Sequence, residues 1–147
     1  MAFQYRLESI LRLQRSIEKH EENRLLAIAA QAAALRNEID DWERERRERR
    51  LLAAQELQSG STGAALSLTA QWDVSAQRRQ KEIGQLLVKA EEARQAQVSK
   101  VQHERQKREV LEGLKQRLET AYDQETLRRI QQVMDDMHLT RAFYYKG

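Results

Sequence analysis

The sequence predicts an all-α protein, a long antiparallel two-helix coiled-coil hairpin. Three observations carry that expectation. The 147 residues contain no proline and only 5 % aromatic residues, while 33 % are charged, a composition of long helices and not of a thick globular core. Apolar residues recur at alternating steps of three and four, most cleanly at Leu25, Ile28, Ala32, Leu35, Ile39 and Trp42. That 3.5-residue period makes a stripe wide enough for one partner helix and too narrow to cover a core. A single Gly/Ser/Thr cluster, Gln58 to Gly63, separates two such patterns, as a loop between helices does.

The first helix is expected over about residues 3–57, all within a single coiled-coil domain spanning 1–147. Phe3, Leu7, Ile10, Gln14 and Ile17 form its first stripe, widened by Leu11 and Leu13. From Ile17 through Glu21 to Leu25 and Ile28 the apolar line takes an eleven-residue step, which predicts a local unwinding of the supercoil. Alanines at 27, 29, 30, 32, 33 and 34 favour helix and let another backbone approach. The run Glu43 to Arg50 alternates acids and arginines, and reads as a solvated face laced with short-range ion pairs.

The loop is placed at about 58–66, with Ser67 or Thr69 as the N-cap of the next helix. That helix is expected over about 67–140. Its stripe runs Trp72, Ala76, Arg79, Ile83, Leu86, Ala90, Ala93 and Gln97, with a stutter to Val101. Leu111, Leu114, Leu118 and Ala121 follow, then Leu127, Ile130, Met134 and Met137. Gly84 and Gly113 lie inside it and mark soft or closely packed points. The tail 141–147 is expected to fray.

At 1.5 Å per residue such helices would run roughly 80 and 110 Å, an elongated shape. A turn near residue 60 sets Trp42 opposite 78–82 and lets Phe3 reach only to about 117. The last twenty or so residues of the second helix are then left striped and without a partner in their own chain, and such a stripe asks for another protein.

Several function classes lack their residues. There is no cysteine, so neither a disulfide framework nor a thiol nucleophile is available. Gly60 to Gly63 lacks the lysine and spacing of a phosphate loop. The histidines, His20, His103 and His138, are scattered, and Asp135 with His138 is too small a set for a metal. A two-helix hairpin has no enclosed cavity in which to tune an acid and a base. No catalytic residue, metal or cofactor is therefore expected. Twenty-six basic and 23 acidic residues give a net charge of +3, a mixed surface and not a nucleic-acid footprint. No secretory leader is expected at residues 1–13, and no apolar run approaches the roughly 20 residues of a membrane span. Trp42 and Trp72 read either as filling between the helices or as partly exposed anchors for a partner.

The two ends carry a resemblance. Phe3-Gln4-Tyr5-Arg6-Leu7 followed by Leu11 resembles the N-terminal signature of the flagellar export protein FliJ family. Leu114, Leu118, Glu125, then Met134-Asp135-Asp136-Met137 and Arg141 are similar to that family's C-terminal helix end. The resemblance implies a non-enzymatic, cytoplasmic stalk of the flagellar type III export apparatus. Such a stalk is similar to the gamma subunit of rotary ATPases, and is peripheral to the inner membrane through its partners only. It implies binding to, and stimulation of, the export ATPase hexamer through the terminal end: Phe3, Tyr5, Arg6, Leu7, Leu11, Leu127, Arg128, Ile130, Met134, Asp135, Asp136, Met137 and Arg141. The basic residues Arg128, Arg129, Arg141 and Lys146 would meet acidic loops of that ring. It implies contact with the cytoplasmic domain of the export gate, assigned here to Trp42 and Trp72, and escort of export chaperones. This chain departs from gate-binding members at Ser75 and Arg79, where further aromatics are expected. The alternatives are the equivalent stalk of a virulence type III secretion system, a structural coiled coil that self-associates, and a basic helical nucleic-acid binder.

Overall fold

The computed structural model describes residues 2–60 and 62–146. Met1, Ser61 and Gly147, and the side chain of Lys146, lie outside the described residues. So do the centre of the predicted loop, the last residue of the predicted tail and the Lys146 charge. The fold is all-α: α1 spans Glu8–Gln58 (51 residues) and α2 spans Gly63–Lys146 (84 residues). Two lengths of this antiparallel helix pair form compact units. One comprises Met1–Lys19 with Gln102–Gly147, the other His20–Val101.

The helix limits correct the sequence expectation at each end. Residues 2–5 are irregular and residues 6–7 form a turn, so α1 begins at Glu8 and not at residue 3. The cause is tertiary. The Tyr5 side chain is buried, and its hydroxyl donates to the Leu111 carbonyl at 3.1 Å. Local helix propensity yields to that anchor, while the Glu8 N–H donates to the Tyr5 carbonyl at 3.1 Å to start the helix. At the other end of α1, Gly60 adopts φ +88°, the left-handed conformation that closes helices. The Ser59 hydroxyl donates to the carbonyls of Gln55 and Glu56, both at 3.1 Å, and the Ser59 N–H also donates to the Gln55 carbonyl at 3.2 Å.

The loop is shorter than expected. Thr62 Oγ1 accepts from the Ala65 N–H at 3.4 Å, so Thr62 and not Ser67 or Thr69 supplies the cap. Thr69 sits within α2, and its hydroxyl donates back to the Ala65 carbonyl at 3.0 Å. Helix α2 then continues through the predicted tail to Lys146. With no proline and no glycine before residue 147, nothing in that segment breaks it.

In the unit His20–Val101, α1 buries or half-buries Glu21, Leu25, Ile28, Ala32, Leu35, Ile39, Trp42 and Arg46. This is the predicted stripe, extended by a charged residue at each end. The facing line of α2 is Leu66, Thr69, Asp73, Ala76, Gln80, Ile83, Leu87, Ala90, Arg94, Gln97 and Val101. Here the sequence reading shared Ala76, Ile83, Ala90 and Gln97 but chose Arg79, Leu86 and Ala93 between them, and these three are exposed. Gln80, Leu87 and Arg94 take the inward places. Arg79 lies on the flank, near Glu38 at 3.6 Å and Glu82 at 3.4 Å.

In the other unit, Leu7 of the turn and Leu11, Gln14 and Glu18 of α1 are buried or half-buried, as are Glu104, Arg108, Leu111 and Lys115 of α2. Ile10 and Ile17, expected on this stripe, are exposed, as are Leu114, Leu118 and Ala121. Within each unit the inward positions keep steps of three and four, so the stutter expected at Gln97 is absent, while the unwinding expected from Ile17 to Ile28 spans the division between the units. Polar side chains occupy the positions at which the apolar line seemed to break.

Candidate functional site

The depressions between side chains of the described residues are open to the surface. Among the described residues no group of three or more His, Cys, Asp or Glu side chains could hold a metal ion, and no helix is long and apolar enough to cross a membrane. His20, His103 and His138 are exposed. What the chain offers are surfaces, and the end of α2 is the most uncovered of them.

In the terminal unit, α1 is held on α2 by polar contacts. Gln14 Nε2 donates to the Glu104 carbonyl at 3.0 Å and to its carboxylate at 2.6 Å, and this donor holds the Glu104 carboxyl below its usual range. Glu18, buried, accepts from Arg108 and lies 3.5 Å from Arg105. Arg108 also reaches Glu112 at 2.7 Å, and its two carboxylate partners raise its pKa further. Lys115 Nζ lies 2.9 Å from Glu8 and lowers that carboxyl too. The Phe3 ring meets Tyr122, centroids 5.6 Å apart, five residues beyond the expected reach because residues 2–5 are irregular and not helical.

The sequence-predicted ring-binding residues thus fall into two groups. Tyr5 and Leu11 are buried, and Phe3 and Leu7 half-buried, in the packing that fastens the N-terminus to α2. Arg6, Leu127, Arg128, Ile130, Met134, Asp135, Asp136, Met137 and Arg141 are exposed. From Asp123 to Tyr145 every residue is exposed. Leu127 and Met134 each keep 65 % of their surface, and Phe143 and Tyr144 83 %.

The apolar stripe of this end does not continue the line that faces α1. Continued past Tyr122, that line would pass through Glu125, Arg129, Gln132 and Asp136, which are polar. Leu127, Ile130, Met134 and Met137 stand roughly 150° round the helix from it, at about 100° per residue. The stripe is therefore aimed away from the direction of α1, a feature that reading apolar residues along the chain as one line had missed.

In the other unit, Trp42 and Trp72 are half-buried against each other, ring centroids 6.2 Å apart and tilted by 35°. The Arg49 guanidinium lies 3.9 Å over the Trp72 ring, a cation–π contact. Beside them Arg46 donates to Asp73 at 3.0 Å and to Gln80 at 2.7 Å, and Arg50 reaches the same carboxylate at 3.4 Å. These arginines lower the Asp73 pKa, the hydrogen bond from Arg46 most. The charged run after Trp42 therefore serves partly to join the helices, beyond the solvated face expected of it. Ser75 and Arg79 are exposed on the neighbouring surface.

Compared with known proteins, the chain matches no family model, no curated protein and no solved structure.

Proposed function

We propose that the chain is a non-catalytic stalk of a type III protein export apparatus, whose terminal end inserts into the ring of the export ATPase and stimulates it. The observation that carries this is the apolar stripe Leu127, Ile130, Met134 and Met137, exposed and turned away from the line that α1 covers. A helix end that is apolar on a face its own chain does not use fits a pore lined by another protein. Arg128, Arg129 and Arg141 around it supply charge for acidic pore loops. Phe3, Tyr5 and Leu11, the residues of the FliJ-like signature, act in this reading by fixing the N-terminus beside Leu111 and Tyr122 at the base of the inserted segment. The Trp42–Trp72 pair is the proposed contact with the export gate, and export chaperones are further partners. The place of action is the cytoplasm, at the inner membrane through these partners. The flagellar system is preferred to a virulence system because of the N-terminal signature.

The test is the ATP hydrolysis rate of the purified export ATPase under ring-forming conditions, alone, with the full chain, and with a variant lacking residues 123–147. Stimulation by the full chain that the truncation abolishes is the expected outcome. Absence of any stimulation by the full chain removes the stalk reading and leaves a structural coiled coil in its place.

A further inference from the structure

The uncovered end of α2 has a symmetry that a second copy of the same helix can use. Its seam positions, at steps of three and four, are Asp123, Leu127, Ile130, Met134, Met137 and Arg141. Read backwards, the apolar block again has four members, and an acid at one end corresponds to a base at the other. Arg141 sits on the Met face: it shares a shallow depression with Met134, Met137 and His138. Neither Asp123 nor Arg141 makes an ion pair among the described residues, and both are exposed.

We propose that this segment pairs with the same segment of a second copy, antiparallel, in a register centred level with Gln132. In that register Leu127 of one copy lies level with Met137 of the other, and Ile130 with Met134. Four apolar layers result, alternating the two seam positions as antiparallel coiled coils do. At each end Asp123 of one copy meets Arg141 of the other. A parallel pairing would instead place Asp123 against Asp123 and Arg141 against Arg141, two like-charge contacts at the rim of an apolar seam. Of the neighbouring flank positions, Gln124, Thr126, Gln131, Val133 and Thr140 are uncharged, and His138 meets the uncharged Gln124 of the other copy, so the seam pair sets the orientation. The interface is isologous and closes on itself, giving a dimer and not a filament. Four layers over about three helical turns make it weak and concentration-dependent. The dimer covers the face that the ATPase ring would occupy, so it is a state that ring binding must displace.

The absence of cysteine gives a clean test in the full chain. Leu127→Cys and Met137→Cys proteins are oxidised separately and after mixing. The expected result is a disulfide dimer in the mixture and none in either protein alone. Crosslinks within each protein alone would mean parallel pairing and overturn the proposal. Sedimentation of the cysteine-free protein from about 1 μM to about 1 mM should show monomer passing to dimer. Asp123→Arg should weaken the dimer about tenfold or more, and Asp123→Arg combined with Arg141→Asp should restore it. A monomer at every concentration, or no rescue by the double exchange, overturns the proposal. Because ATPase stimulation is read separately, either result leaves the stalk reading standing or falling on its own assay.

Discussion

At the residue scale, the packing between the helices rests on few fully buried apolar groups. Leu11 and Ile83 are the large ones, both 0 % exposed. Leu11→Ala opens a gap between α1 and α2 that two helices alone close poorly, and should destabilise by about 2–4 kcal/mol. Leu26→Ala, at a position 68 % exposed, should change stability by less than about 0.5 kcal/mol. Urea unfolding of both variants separates the two cases, and equal effects would mean that Leu11 is not the anchor its burial suggests. The polar residues between the helices set a pH dependence. Glu8, Asp73 and Glu104 have carboxyl pKa values lowered by Lys115, Arg46 and Gln14 respectively. A folded pKa below the unfolded one means that the unfolded chain binds more protons in the acidic range. The contribution to stability is therefore complete above the ordinary carboxylate range of about 4, and is lost as pH falls through it toward the lowered folded values. The melting temperature should be flat from neutral pH to about 5 and fall below that. Asp73→Asn should start lower and fall less steeply with acid, and a parallel curve would show that Asp73 is not one of the groups responsible.

At the scale of elements, the glycines divide by backbone and not by packing. Gly60 holds φ +88° at the end of α1, whereas an added Cβ at Gly84 or Gly113 would have no neighbour within 4 Å. The sequence reading allowed those two helical glycines to be close-packing points, but the space around them is open. Gly60→Ala should therefore cost about 1 kcal/mol. Gly84→Ala and Gly113→Ala should each stabilise by about 0.5–1 kcal/mol, and thermal unfolding of the three single variants checks the opposite signs. The same contrast shows what could be read from the chain. Two helices and one break were legible because a 3.5-residue period and a Gly/Ser/Thr cluster survive any choice of register. The register itself was not, because the line was followed through apolar residues such as Ile10, Ile17 and Leu86, while the helices mesh through Glu18, Gln80 and Glu104 as well as through Gln14 and Gln97, which the sequence reading did place on its stripes. Gln97 Nε2 donates to the Glu21 carbonyl at 3.0 Å, and Gln14 does the same to Glu104 from the opposite helix. A glutamine or glutamate is a legitimate inward residue when its partner is the facing helix. The available signal was an unbroken three-four spacing with polar residues admitted to it. The Trp42–Trp72 contact was hidden for a related reason, since large rings meet from positions that do not stand level.

For the whole molecule, the end of α2 and the tryptophan pair, each proposed to bind a different partner, can be removed separately. Every residue from Asp123 to Tyr145 is exposed, while the last ring contact that fastens α1, Phe3 on Tyr122, lies before that segment. Among the described residues, a chain lacking residues 123–147 thus loses no buried side chain. Its urea midpoint should stay within about 0.5 kcal/mol of the full chain's value, and its helical signal should fall only by the share of the residues removed. A large loss of stability would mean that the end of α2 packs on its own chain, and would withdraw the premise of both its proposed roles. Given an intact remainder, the truncation becomes a clean probe: ATPase stimulation should vanish, and so should dimerisation. The tryptophans supply the reciprocal case. Trp42→Ala with Trp72→Ala removes the ring pair but leaves residues 123–147 untouched, so it should retain ATPase stimulation while weakening capture of the purified gate domain. If the double tryptophan variant loses stimulation although its helical signal and midpoint show it folded, the stimulating surface is not confined to the end of α2. If the truncation stimulates as the full chain does, that end is not the inserted segment, and its apolar stripe is left to the second copy alone.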